Sequence, residues 1–319
     1  MFDGDIAGLL EWEDFGAAPM LGCARLLAEP RFQKAARALA RNMLDICVDA
    51  GLRGIFKDAG RYLVAMWALY LHGEKGGLTL PGLKHLASQS GFLSPGRARS
   101  LLIYLRHLGY VEPVAGEDRQ GAVRYVPTDA FRAAWTRHLT AAMAAAAIVE
   151  PGVRRLLGAL DEAAISEQVN RTQSEGLLAA SGADGTDWPY VRIFMDRHAG
   201  NQIAWLLLVG EADGEEFPSA AGVRLSVAAI ARRFEVSRAH VRRLLADARA
   251  EGLIVEDERG LTRFSEPDHD FIRYLYAVQL VQLLASAAAV LHGRSPTAAG
   301  QRNQKCPVVT MGAEPRLTP

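Results

Sequence analysis

Two stretches of this chain carry the same succession of capping residues and apolar stripes, and the offset between them is constant. Ser94 and Ser237 stand 143 residues apart, as do Leu101 and Leu244, and Gly109 and Gly252. A repeat of that length is two copies of a domain, because the units of a solenoid run to only ~20–50 residues. The 319-residue chain has room for two domains of roughly 150 residues each. Beyond the shared glycines the offset from Arg124 to Arg263 falls to 139. That predicts a loop four residues shorter in the second copy.

The second copy has the clearer local signals. Ser226 is placed to cap a short helix over 227–234, with Ala229, Ile230 and Phe234 at helical spacing. Glu235, Val236 and Ser237 leave room only for a tight turn. Ser237 caps a second helix over 238–251, with Val241, Leu244, Leu245 and Ala248 along one face. Gly252 closes it, and two short strands, 253–255 and 261–264, follow around a charged turn at 256–260.

In the first copy Thr79 caps a helix whose first turn holds Pro81 and whose inner face is Leu83, Leu86 and Ala87. Ser94 caps the next, with Pro95 at its first position, and Leu101, Leu102, Leu105 and Leu108 form the stripe. A strand from Tyr110, a polar tip at 116–121 and a returning strand at 122–126 complete it. An apolar helix precedes each copy, at 61–72 and 201–208. A long apolar helix follows each, lined by Phe131, Trp135, Leu139 and Met143 in one case and by Phe271, Leu275, Val278, Val281 and Ala285 in the other.

The predicted fold class is mainly α with small β-hairpins. The predicted organisation is an N-terminal helical segment (1–60), a first domain with its long helix (61–150), a helical linker (151–190), a second domain with its long helix (191–292) and an unstructured tail (293–319). Within the first segment, 31–50 is helical by its spacing of Ala36, Leu39, Met43, Leu44 and Cys47, while Trp12 and Phe15 are expected to pack on another element. Residues 153–160, and others after Ser166, should be helical. Residues 188–195 are open to helix or strand, 181–186 have linker composition, and the acidic loop 211–216 is expected to be solvated.

Charge gives the first functional clue. The formal net charge of the chain is zero. Yet residues 224–250 hold seven arginines against two acids, a net of +5, and residues 81–107 hold four Lys/Arg and no acid. Basic surface concentrated on a neutral chain suits a nucleic-acid face. Three widely spaced cysteines, Cys23, Cys47 and Cys306, form no disulfide framework and no zinc spacing. No phosphate-cradling glycine motif is present, and no cofactor is expected. His198, near Asp196 and Arg192, is the nearest approach to a catalytic fragment, and a non-enzymatic function is expected. The opening residues lack a basic-then-apolar leader. The longest apolar stretches lie in amphipathic helices and fall short of the ~20 residues of a membrane span. A cytoplasmic protein without membrane contact is expected.

Helix, sharp turn, helix and hairpin is the layout of a winged helix-turn-helix. The stretch AAIARRFEVSRAHVRRLLADARAEGLIVEDERG, followed by LTRF, resembles the DNA-binding domain of bacterial winged-helix regulators of the broad MarR/GntR type. LPGLKHLASQSGFLSPGRARSLLIYLRHLGYVEP resembles a more divergent member. The tandem arrangement and the acidic second turn depart from that pattern, and no separate ligand-binding domain is recognisable.

The resemblance implies double-stranded DNA as partner and transcription regulation as function, with Arg238, His240 and Arg242 where such proteins contact bases. The layout adds Arg243 beside them, Lys84, His85, Arg97, Arg99 and Ser100 in the first copy, and Arg119 and Arg259 at the two wing tips. The helix-capping Ser94 and Ser237 are candidates for phosphate contact. Self-association through helices 129–149 and 268–291, and a small-molecule effector entering between the long helices, are further expectations. The alternative is a scaffold that uses the same units to bind another protein.

Overall fold

The computed structural model describes residues 7–16, 18–49, 51–52, 54–117, 122–180, 188–210 and 216–293. These are mainly helical with small antiparallel sheets. The N-terminal part holds α1 (Ala7–Leu10), α2 (Pro19–Leu27) and α3 (Phe32–Ile46). The first unit runs α4 (Ala59–Gly73), β1 (Leu78–Thr79), α5 (Leu80–Ser90), α6 (Pro95–His107), β2 (Val111–Glu117), β3 (Val123–Pro127) and α7 (Asp129–Val149). Then come α8 (Arg154–Leu157) and α9 (Ala163–Ala180). The second unit runs α10 (Gly200–Val209), α11 (Val227–Arg233), α12 (Arg238–Ala250), β4 (Ile254–Glu256), β5 (Thr262–Phe264) and α13 (His269–Leu291). Residues 191–195, open to helix or strand by sequence, form a π-helical turn. The linker at 181–186, the acidic loop at 211–215 and the tail from 294 onward lie outside the described residues.

The expected caps all form. Thr79, Ser94, Ser226 and Ser237 accept the amides of Gly82, Arg97, Ala229 and His240 at 3.1–3.3 Å. Each supplies one of the acceptors that a helix start lacks. The 143-residue repeat extends to backbone bonds. Leu105 O accepts from Tyr110 N and Ala248 O from Leu253 N, both at 2.9 Å, closing α6 and α12 over glycines at φ +70 and +74. A left-handed residue at that position favours glycine, which has no Cβ to clash.

The strand register corrects the expected loop length. β3 lies between β1 and β2, with Glu112 opposite Val126, whereas Val255 is opposite Arg263. Glu112 to Val255 is 143 residues and Val126 to Arg263 is 137. The second loop is therefore shorter by six residues, not four. A slide of two residues along a strand returns side chains to the same face, so alternation alone cannot detect it. Val223 bridges Thr262 much as Leu78 pairs with Tyr125, a single-residue remnant of the third strand.

The buried core is continuous across both units. α3 packs on α7 and on α10, so the N-terminal segment joins the units instead of standing apart. α9 lies between α4 and α13. Phe131, Trp135, Leu139 and Met143 of α7 are all buried. On α13 the deepest residues are Ile272, Ala277, Leu280, Val281 and Leu284, whereas Phe271, Leu275 and Val278 are only half-buried. Of the expected stripe Val281 and Ala285 are buried, while its N-terminal part is displaced onto Ile272 and Ala277. The helix is apolar almost all round, and periodicity cannot say which face is deepest.

α13 is enclosed by α1, α2, α9, α7, α3 and the turn Glu13–Phe15, where Trp12 is buried edge-on to Phe15. The apolar faces considered for self-association are thus largely covered within the chain. Residues Glu266–Leu291 are long and apolar enough to cross a membrane, contrary to the expected shortfall, but 67% of the qualifying window is buried inside the protein.

Candidate nucleic-acid interface

α12 is fixed from below and from both ends. Val241, Leu244, Leu245 and Ala248 are its buried face. Near its C-terminal end, Arg192 pairs with Glu251 at 2.8 Å, Arg249 with Glu256 at 2.7 Å, and Arg197 with Asp247. At its start His240 turns inward, and its Nε2 donates to the His198 carbonyl at 2.7 Å. A carbonyl can only accept, so this contact assigns the Nε2–H tautomer. His198 itself is held near pKa 4, first by burial and then by the Arg61 and Lys57 charges. It is neutral at physiological pH, and burial raises the pKa of its neighbour Asp196.

Arg97 is the 143-residue counterpart of His240, and it too turns toward the segment ahead of its unit's leading helix. Its guanidinium meets Asp58 at 2.8 Å. Asp58 also caps α4 through Arg61 N at 3.0 Å and pairs with Arg61 Nε at 3.2 Å. The third residue of each helix is therefore a strut. The two struts meet one junction: Lys57 O accepts from Ala199 N. The buried Lys57 ammonium donates to Phe234 O at 2.7 Å, 3.8 Å from Glu235. Phe234 ends α11, where the helix dipole favours a cation. Glu235 takes φ +54 in the α11–α12 turn. Sequence reasoning missed Lys57 and Asp58, because nothing local marks a glycine-rich stretch as the partner of helices 39 residues and more downstream.

What remains free defines the candidate interface. Arg238, Arg242 and Arg243 are exposed, and none has a hydrogen-bond or ion-pair partner among the described residues. Arg232, in the last turn of α11, is likewise exposed; it carried part of the charge count but was not singled out. In the first unit Arg99 and His85 are exposed and Lys84 is half-buried. Ser100 is exposed, with its hydroxyl bonded back to Gly96 O at 3.2 Å. The Ser94 and Ser237 hydroxyls are occupied by their own helix amides, at 3.2 and 3.1 Å. Phe92 and Ile103, unremarked in the sequence, are exposed at 54% and 55%.

The hairpins differ. Arg119 lies outside the described residues. In the second hairpin the Asp257 carboxylate accepts from the amides of Arg259 and Leu261, and Arg224 donates to Arg259 O. That leaves the Arg259 side chain exposed. Much of the acidic character is consumed internally, since Asp257 shapes the turn and Glu256 pairs with Arg249.

No family model, curated protein or solved structure matches this chain. The candidate interface is therefore argued from its own geometry. No group of three or more His, Cys, Asp or Glu among the described residues could hold a metal ion. Cys23 and Cys47 are buried, and burial pushes both thiols up to about 11, away from nucleophilic use.

Proposed function

We propose that the two units are winged-helix domains and that the chain is a transcription regulator that binds double-stranded DNA through α12. The observation that carries this proposal is the trio Arg238, Arg242 and Arg243, exposed on one helix without carboxylate partners among the described residues. Like charges four apart on a helix repel by about 0.2–0.5 kcal/mol. The neighbouring Arg192, Arg197 and Arg249 are relieved of that repulsion by Glu251, Asp247 and Glu256. A phosphate backbone would relieve the trio.

In this account Arg238 and Arg242 donate to guanine edges or phosphates, while Arg243, Arg232 and Arg259 contact the backbone. His240 and Arg97 set the angle of their helices instead of reading bases. The test is a titration of duplex DNA at fixed salt with wild type and with Arg238→Ala plus Arg242→Ala. Each lost contact is worth about 1–3 kcal/mol, so affinity should fall on the order of a hundredfold. Unchanged affinity in a folded variant would remove α12 from the interface.

A second reading has one observation in its favour. Phe92 and Ile103 expose apolar area where the second unit has Glu235 and Ala246, which suits a protein partner for the first unit.

A further inference from the structure

α3, α7 and the α8–α9 region enclose an open cleft of about 1150 Å³. Drug-sized ligands occupy pockets of roughly 300–1,000 Å³, so the space is ample for one. Leu69, Trp135 and Ala144 are among the apolar residues that line it. Trp135 and Asn170, both on its lining, are 2% exposed, and Trp135 Nε1 and Asn170 Oδ1 have no hydrogen-bond partner. Asn170 Nδ2 donates to Met66 O at 3.2 Å, which fixes the amide and leaves its oxygen as the free acceptor. Buried polar groups are ordinarily satisfied, and two of the unpaired buried atoms among the described residues belong to side chains that line this one cleft.

The charges on the lining do not cancel. Asp49 is held by Arg137 at 3.1 Å and Glu167 by Arg132 at 2.9 Å. Asp45 and Asp161, also on the lining and exposed, have no ion-pair partner among the described residues. The cleft therefore has a net charge of two negative units against an apolar interior.

We propose that this cleft binds a small organic cation, an aromatic or aliphatic body carrying a protonated amine. The amine sits by Asp45 and Asp161 while the apolar body lies toward Trp135 and Leu69. The site is separate from α12, so this proposal stands whether or not the chain binds DNA.

Three probes of one shape and different charge test it on the full chain by calorimetry: 2-naphthylmethylamine, 2-naphthylmethanol and 2-naphthoate. The amine should bind at least about tenfold more tightly than the carboxylate, a difference ordinary for opposite charges in a cleft with two unneutralised carboxylates. Asp45→Asn plus Asp161→Asn, both at exposed positions, should erase most of that preference and leave alcohol binding unchanged. Ala144→Phe, also at an exposed position on the lining, should fill the cleft and weaken all three probes. Absence of amine binding at millimolar concentration, carboxylate binding as tight as the amine, or binding that survives Ala144→Phe would each overturn the proposal.

Discussion

The two units share an interior and differ on the surface. Their serine caps, closing glycines and strand register coincide, and so does the inward turn of Arg97 and His240. On the outer face of the second helix they part. At the 143-residue offset Arg99 matches Arg242, but Pro95 stands where α12 has Arg238, Ser100 where it has Arg243, and Ile103 where it has Ala246. Packing constrains the inner face, because core substitutions cost several kcal/mol and surface ones usually less than about 0.5. The outer face is free to follow a partner. Two copies with one scaffold and unlike outer faces are therefore expected to have unlike partners, or unequal shares of one partner.

The sharpest way to break that comparison is to neutralise each face in turn. Arg238→Ala plus Arg242→Ala should weaken DNA binding on the order of a hundredfold, and Lys84→Ala plus Arg99→Ala by no more than about threefold. Anisotropy titrations at one salt concentration measure both. Equal losses would make the units equivalent readers and end the division of labour.

Acid probes the first unit's core next. His138, on α7 of the first unit, is buried among Phe56, Tyr62 and Trp135, and burial lowers its pKa from 6.5 to about 3. The unfolded chain then takes up the proton first. Stability from this site is complete above pH ~6.5 and falls as pH drops toward about 3. His138→Leu should flatten the fall in urea-unfolding free energy between pH 7 and 4 by about 1–3 kcal/mol, a burial effect well within those seen for buried ionisable groups. An unaltered pH dependence would contradict it.

Lys57→Met probes the junction that ties the units together. It leaves Phe234 O without its charge-assisted donor, and a buried unsatisfied group costs about 1–3 kcal/mol. Urea unfolding should show that loss, and a change under about 0.3 kcal/mol would mean that the clamp adds little beyond packing.

Much of this was legible in the sequence, and what was not has a common cause. Ser94, Ser237, Gly109 and Gly252 mark helix ends through bonds within a few residues, so spacing finds them. Arg97 and His240 looked like reading residues because they follow a cap on a basic helix. Their partners, Asp58 and the His198 carbonyl, lie 39 and 42 residues earlier, beyond any local pattern. The six-residue difference between hairpins was hidden by strand periodicity. The cleft was hidden because α3, α7 and α9 meet only in three dimensions, and it lies away from α13, not between the two long helices where an effector was expected.

The smallest effect sharpens the comparison from the other side. Phe92→Ser and Ile103→Ser remove exposed apolar area, so stability should change by less than about 0.5 kcal/mol, and DNA affinity should hold. A marked loss of DNA binding would place the first unit's apolar face on the duplex.

The central claim is that α12 reads DNA sequence. The most direct measurement is selection from a random duplex pool by the purified full chain at two salt concentrations, followed by sequencing of the retained fraction. The account predicts an enriched motif confined mainly to one half-site, lost when Arg238 and Arg242 are both replaced by alanine, with affinity falling steeply as salt rises. Retention without enrichment, equal for wild type and variant, would contradict it.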